Sequence, residues 1–219
     1  MAGIRGRLRG VTLVAAVACG LALAAFDDVD AIETPEARAV AQSVTAAELA
    51  SWGRTHGDAG ALIMAARLLA EVPVRPGEGE GGEPILTPGR LLDEAAALSA
   101  GNQPLMDAID RLREPLTRGV QSSPFGAGPV FTVKQLRARE AWAFELDARR
   151  GEILRVAAIG DGDTDIDLII RDSRGSILCR DGYGDHYPVC TVSSGAGGKM
   201  RVNIVNRGDV WTSIQVLSN

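Results

Sequence analysis

The sequence predicts a two-domain α+β fold, with about four α-helices arranged as hairpins followed by an antiparallel β-sandwich. In residues 45–115, apolar side chains recur every three or four positions, which is typical of helices that bury one face. In residues 129–219, short alternating apolar segments are separated by glycines, which is typical of antiparallel strands. Residues 116–128 lie between these regions and have the Gly, Ser and Pro content of a linker.

Residues 1–25 are predicted to be a secretory signal peptide. Arg5, Arg7 and Arg9 precede an alanine-rich apolar run that is too short for a comfortable membrane span. Ala22 and Ala24 are small residues at the positions that signal peptidase reads. We therefore expect a secreted or periplasmic protein without a membrane span in its mature form. Cys19 offers an alternative lipoprotein site, although Ala16 stands where such sites usually carry leucine.

The helical domain is predicted at residues 45–115, after a leader at 26–44 whose pattern turns helical from Glu36. Thr45 and Glu48 have capping-box spacing, and Trp52 falls at a core-type position of the helix that follows. Further helix starts are predicted after Gly57-Asp58 and at Thr87-Pro88. The two hairpins are either a degenerate tandem repeat or one four-helix unit that buries its own leucines.

The sandwich is predicted from a series of short strands in which inward and outward residues alternate. Strands are expected near 142–146, 153–159, 165–171, 176–180, 189–192, 199–205 and 210–217. Cys179 and Cys190 flank a polar loop, and in an exported chain they are expected to form one disulfide rather than two free thiols. Closing so short a loop contributes about 3 kcal/mol in the chain-entropy model.

Acidic residues are concentrated where the glycine-rich loop at Gly160 runs into a strand. In the strand Ile166, Leu168 and Ile170 share the core face, which leaves the alternate acids on the other face. Clustered carboxylates favour a hard cation with oxygen ligands, and Ca²⁺ suits a flexible loop. An EF-hand is excluded because Ile166 occupies the position that requires glycine. The alternative role for these acids is to form turns and solubilise a strand edge without metal. The predicted calcium ligands are Asp161, Asp163, Asp165, Asp167 and Asp172.

Residues 129–219 resemble the bacterial pre-peptidase C-terminal (PPC) domain. The resemblance is carried by the segment DGDTDIDLIIRDSRG, by Cys179, Asp181 and Cys190, and by MRVNIVNRG at 200–208. It implies a jelly-roll-like sandwich on a secreted protein, calcium binding as in some relatives, and a role in secretion, localisation or substrate binding. The sequence SSGAGG stands at 193–198, where relatives usually carry an aromatic-rich strand, which argues against an aromatic ligand face there.

No catalytic motif is present in the sequence. It lacks GxSxG, HExxH and phosphate-binding glycine loops, and its two histidines, His56 and His186, are interpreted as structural and loop residues. We therefore expect a protein that is not an enzyme. The formal charge of −5 becomes −8 once the signal peptide and its three arginines are removed, which argues against nucleic acid and anionic membranes as partners.

The sequence thus predicts a non-catalytic exported protein whose sandwich serves binding or localisation and whose helical unit contacts another protein. Its ligand is expected to be a protein or an extracellular polymer, and the oligomeric state is left open. One alternative is an accessory or cryptic hydrolase that uses the acidic residues, favoured if a pocket encloses Asp161, Asp165 and a buried polar partner. Another is a purely structural envelope protein, favoured if no apolar patch is exposed.

Overall fold

The computed structural model describes residues 31–77, 82–118 and 123–219, with residues 115–118 described by their backbone. The predicted signal peptide, Cys19 and the centre of the predicted linker lie outside these residues. Within them, four helices precede two antiparallel-rich sheets, which confirms the predicted α+β class. None of these helices is long and apolar enough to cross a membrane.

The first helix begins earlier than the capping-box pattern predicts. The hydroxyl of Thr34 accepts a hydrogen bond from the Ala37 amide at 3.1 Å, and Pro35 occupies the first turn. This threonine and proline combination is a strong helix start. Thr45 lies in mid-helix instead, where its hydroxyl donates to the Ala41 carbonyl oxygen at 3.2 Å. The residues assigned to the leader are therefore helical from Pro35 onward.

The later helix boundaries follow the predicted signals. Gly57 ends the first helix in the left-handed conformation, with φ at 62°, and Asp58 caps the next by accepting from the Ala61 amide. Thr87 caps the third helix by accepting from the Arg90 amide at 3.3 Å. The helices are α1 (Pro35–His56), α2 (Ala59–Ala70), α3 (Pro88–Leu98) and α4 (Gln103–Arg118).

The strands form two sheets that face each other. The first has the order β1 (Arg75–Pro76), β2 (Val130–Leu136), β9 (Thr212–Ser218), β4 (Glu152–Gly160) and β7 (Val189–Ser194). The second has the order β3 (Ala141–Ala148), β8 (Gly198–Asn206), β5 (Ile166–Arg171) and β6 (Ile177–Asp181). Strands β2 to β9 thus have the jelly-roll order of two four-stranded sheets. The short β1, which was not predicted, pairs parallel to β2 at the sheet edge, where proline is tolerated.

Two apolar layers hold these elements together. Ile166, Leu168 and Ile170 are fully buried between the sheets, as their predicted alternation requires. A second cluster joins the helices to the outer face of the five-stranded sheet through Ala157, Ile159 and Leu217. The helical domain therefore packs directly on the sandwich, and α1 lies beside β4.

The predicted disulfide is present between Cys179 of β6 and Cys190 of β7, with a Cα–Cα distance of 5.8 Å. It links an edge strand of one sheet to an edge strand of the other. The segment between these strands, residues 182–188, is called the β6–β7 loop below. Both ends of this loop are fixed, and the loop lies next to α1.

Candidate functional site

The five predicted calcium ligands, called the acidic rim below, do not lie together. Asp161 and Asp163 share a hydrogen bond in the loop that follows β4. Asp165 and Asp167 lie at the start of β5, on the face opposite the core. Asp172 lies beyond the other end of β5, where its Oδ1 accepts the backbone amides of Arg174 and Ser176. The structure thus divides the acidic rim among three places.

Asp161 is held by donors of the protein itself. Its Oδ1 accepts from the Thr212 hydroxyl at 2.6 Å, and its Oδ2 accepts from the Ser213 amide at 2.9 Å. Burial acts to raise the pKa of Asp161, but the hydrogen bonds from Asp163, Thr212 and Ser213 outweigh it and lower that pKa. The hydrogen bond to Asp161 raises the pKa of Asp163 in turn. Asp163 is therefore the carboxyl of this pair that holds a proton more readily.

Asp167 is only 4% exposed, and its negative charge is paired with arginines of the same chain. Its Oδ2 accepts from Nε of Arg207 at 2.8 Å and from a terminal nitrogen of the same guanidinium, and Arg180 lies 3.5 Å away. A side chain at Gly182 would collide with the Asp167 carboxylate, since a Cβ there would lie 2.7 Å from Oδ1. Burial, followed by the charges of Asp167 and Asp185, raises the pKa of neighbouring Asp165, while Arg207 opposes the shift.

Asp161, Asp167 and Asp172 of the acidic rim already accept hydrogen bonds from donors of the protein. Among the described residues, no group of three or more His, Cys, Asp or Glu side chains is arranged to hold a metal ion. Oδ1 of Asp165 and Oδ1 of Asp181 are buried without a hydrogen-bond partner. Calcium binding stays a prediction, and the proposal below does not depend on it.

A groove between α1 and the β6–β7 loop brings together side chains that the sequence analysis did not combine. This junction groove has a volume of about 710 Å³. One stripe of α1 forms one wall, and Asp185 and Tyr187 of the loop form the other. The α1 residues are Thr45, Glu48, Leu49, Ser51, Trp52, Thr55 and His56.

Trp52 is a large apolar side chain that α1 exposes to solvent. It is 48% exposed and stacks on His56 with ring centroids 4.3 Å apart. Nδ1 of His56 donates to the Trp52 carbonyl oxygen at 2.8 Å, which fixes the orientation of the histidine ring. The core-type interpretation of Trp52 is wrong because small residues such as Ala47 and Ala50 form the buried side of α1.

The junction groove is negatively charged. Glu48 is exposed and makes no hydrogen bond or ion pair with another described residue, and Oδ1 of Asp185 accepts from the Tyr187 amide at 3.0 Å. Burial, then the charges of Asp185 and Glu48, raise the pKa of Tyr187, with a hydrogen bond to Ser51 opposing the shift. The charges of both carboxylates therefore raise the pKa of the same tyrosine.

A smaller cavity of about 320 Å³, called the junction cavity below, is lined in part by His186 of the same loop. Arg54 forms a two-pronged ion pair with Glu94 there, with N–O distances of 2.7 and 2.9 Å. Burial lowers the pKa of His186, and Arg54 adds to the shift, while the charges of Asp185 and Asp161 oppose it. Asp161 lines this cavity and Asp165 does not. This cavity therefore does not enclose the two aspartates together.

Comparison with known proteins gives partial likenesses only. No family model matches this sequence, and no curated protein matches it. Among solved structures, the chain is similar to a de novo designed double-stranded β-helix, with 15% identity over 41% of this chain and 97% of that chain and a TM-score of 0.27. It is also similar to Aeromonas hydrophila PliG, a periplasmic lysozyme inhibitor of g-type lysozyme, with 14% identity over 46% of this chain and 93% of that chain and a TM-score of 0.31. We draw no functional argument from similarity at this level, and the PPC resemblance stays a prediction beyond the sandwich fold.

Proposed function

We propose that this chain is an exported, non-catalytic binding protein whose binding surface is the junction groove. One observation carries the proposal: half-exposed Trp52 stands in an open groove beside Glu48, which pairs with no other residue in the part of the chain that the structure describes. Tryptophan and tyrosine are enriched at the energetic centres of protein interfaces, because they bury a large area with few rotatable bonds. A tryptophan held in place by stacking on His56 is already arranged for contact.

Export to an oxidising compartment is part of this proposal. The disulfide between Cys179 and Cys190 supports it, because disulfides persist in secreted and periplasmic proteins and are rare in reducing compartments. The basic and then apolar character of residues 1–25 supports it further. The sandwich acts in this proposal as the scaffold that presents the β6–β7 loop to a protein partner and contributes to localisation outside the inner membrane.

Binding is favoured over hydrolysis because Asp161 and Asp167 are already bonded to other groups of the protein. A general acid or nucleophile needs a carboxylate that can reach a substrate. Both oxygens of Asp161 accept from Thr212 and Ser213, and the carboxylate of Asp167 is ion-paired with Arg207. The exposed aromatic surface of the junction groove also argues against a purely structural role.

The proposal is tested by site-specific photocrosslinking in the organism that produces the chain. The photoreactive amino acid p-benzoylphenylalanine replaces Thr55 at the edge of the junction groove, and a control chain carries it at Trp211, which is 59% exposed on the sandwich. We expect one extracytoplasmic partner to crosslink at position 55 and not at 211, and the purified partner to bind the purified chain. Absence of a specific crosslink at position 55, or identical products from both positions, would contradict the proposal.

A further inference from the structure

The junction groove combines aromatic faces with carboxylates. The indole of Trp52 stacks on His56 on the α1 wall, and Tyr187 lies on the opposite wall, edge-on to His186 at a centroid distance of 4.7 Å. Aromatic faces carry negative electrostatic potential and attract cations within about 6 Å, most strongly for tryptophan. The rings of this groove therefore suit a ligand that is both apolar and positively charged.

The charges around the junction groove point to the same ligand. The described residues that line it include two carboxylates, Glu48 and Asp185, and no lysine or arginine. Arg54 follows Trp52 on α1 but lines the junction cavity, where Glu94 already holds its guanidinium at two points. Arg54 therefore does not neutralise the carboxylates of the groove. An incoming cation would supply the missing partner of Glu48.

Resting on the proposed function, we propose that the junction groove binds a lysine or arginine side chain on an exposed basic segment of a partner protein. The alkyl part of that side chain packs along Trp52 and Leu49, and its charged end lies near Glu48 and Asp185. The groove is larger than one side chain and open to solvent, which suits a residue that projects from a protein surface. The net negative charge of the chain favours approach of a basic partner as well.

The test uses defined peptides as probes. The mature chain is labelled with 5-fluorotryptophan, so that its three tryptophans, Trp52, Trp142 and Trp211, give separate ¹⁹F NMR signals assigned by substitution. Hexaarginine and hexalysine are titrated against it, with hexaglutamate and a neutral Gly-Ser peptide as controls. We expect the basic peptides to shift the Trp52 signal in a saturable manner and to leave the Trp211 signal unchanged. Raising the salt to 0.5 M weakens the binding because the charges are solvent-exposed.

Two variants connect the probe to the named residues. Glu48→Gln is expected to weaken hexaarginine binding roughly two- to fivefold, the effect of losing one solvent-exposed charge contact. Asp110→Asn removes an exposed charge of α4 and is expected to leave binding unchanged. Trp52→Leu removes the reporter, so calorimetry measures its loss of affinity, with Trp211→Leu as the matched control. Far-ultraviolet circular dichroism establishes that each variant is folded.

The outcomes separate this inference from the proposed function. If hexaglutamate or the neutral peptide shifts Trp52 as strongly as hexaarginine, or if Glu48→Gln leaves binding unchanged, the cationic ligand is wrong. A specific crosslink at position 55 would in that case still support the binding function. If no probe shifts Trp52 and no partner crosslinks at position 55, both are overturned.

Discussion

The acidic rim and the junction groove differ in how far their polar groups are satisfied within the chain. The rim is conspicuous in the sequence, yet Asp161, Asp167 and Asp172 accept hydrogen bonds from hydroxyl, guanidinium and amide donors of the protein. The groove is inconspicuous in the sequence, yet it exposes Trp52 and Glu48. A group whose partners are already supplied contributes to stability, and a group without partners is available for binding. A cluster of one residue type in the sequence is therefore a weaker sign of function than an exposed surface whose groups are not yet paired.

The largest expected effect comes from the disulfide, because it anchors the β6–β7 loop, which contacts Asp167 of the rim and forms one wall of the groove. Replacing both Cys179 and Cys190 by alanine should lower the free energy of unfolding by about 3 kcal/mol, since the short loop is no longer closed in the unfolded state. Asp185 and Tyr187 lie within that loop, so hexaarginine binding should weaken too. Urea denaturation and ¹⁹F titration measure the two effects. A stability loss without any change in binding would show that the groove does not need an anchored loop.

The next effect distinguishes an acid of the rim from an acid of the groove. Arg207→Met leaves Asp167 buried with only the more distant Arg180 as a cation, so we expect a loss of about 2 kcal/mol in the free energy of unfolding. Glu48→Gln should change that free energy by less than about 0.5 kcal/mol, because Glu48 is exposed. Urea denaturation measures both, with exposed Arg174→Met as the arginine control. Equal losses for Arg207→Met and Glu48→Gln would remove the distinction between the two regions.

A smaller, pH-dependent effect is expected at His186, which lies between the two regions. Burial lowers its pKa below 6.5 in the folded state, so the unfolded chain binds the proton more readily as the pH falls. The stability that depends on neutral His186 is present above pH 6.5 and is lost as the pH falls through the folded-state pKa. His186→Gln should therefore reduce the decline in stability between pH 6.5 and 5. Urea denaturation across this range measures it, with His56→Gln as control, and parallel curves for all three chains would contradict the assignment.

The smallest effect is expected from calcium. Internal donors already serve Asp161, Asp167 and Asp172, so melting curves in excess EDTA and in millimolar calcium should differ by less than about 1 °C. Differential scanning calorimetry of the oxidised chain measures this shift. A calcium-dependent rise of several degrees that Asp165→Ala abolishes would establish the metal site and would give the acidic rim a binding role.

Local sequence signals determined most of the secondary structure. The alternation of Ile166, Leu168 and Ile170 fixed which face of β5 is buried, because side chains of a strand alternate between two sides. Gly57-Asp58 and Thr87-Pro88 marked helix boundaries because capping chemistry is local. The helix start predicted at Thr45 is wrong because two cap signals occur in the same stretch. Thr34 and Pro35 start the helix earlier, and no residue in between breaks it.

The junction groove was decided by tertiary structure alone. Trp52 and Tyr187 are distant in the sequence, and they face each other because α1 packs on the five-stranded sheet beside the disulfide-anchored β6–β7 loop. The same packing made Trp52 an exposed residue, since the apolar face of a helix is buried only where a neighbour covers it. The pairing of Asp167 with Arg207 likewise depends on β5 lying next to β8 in the jelly roll. The sequence by itself determined which residues could be buried, charged or helical. Long-range packing decided which of them found partners within the chain and which were left exposed to solvent.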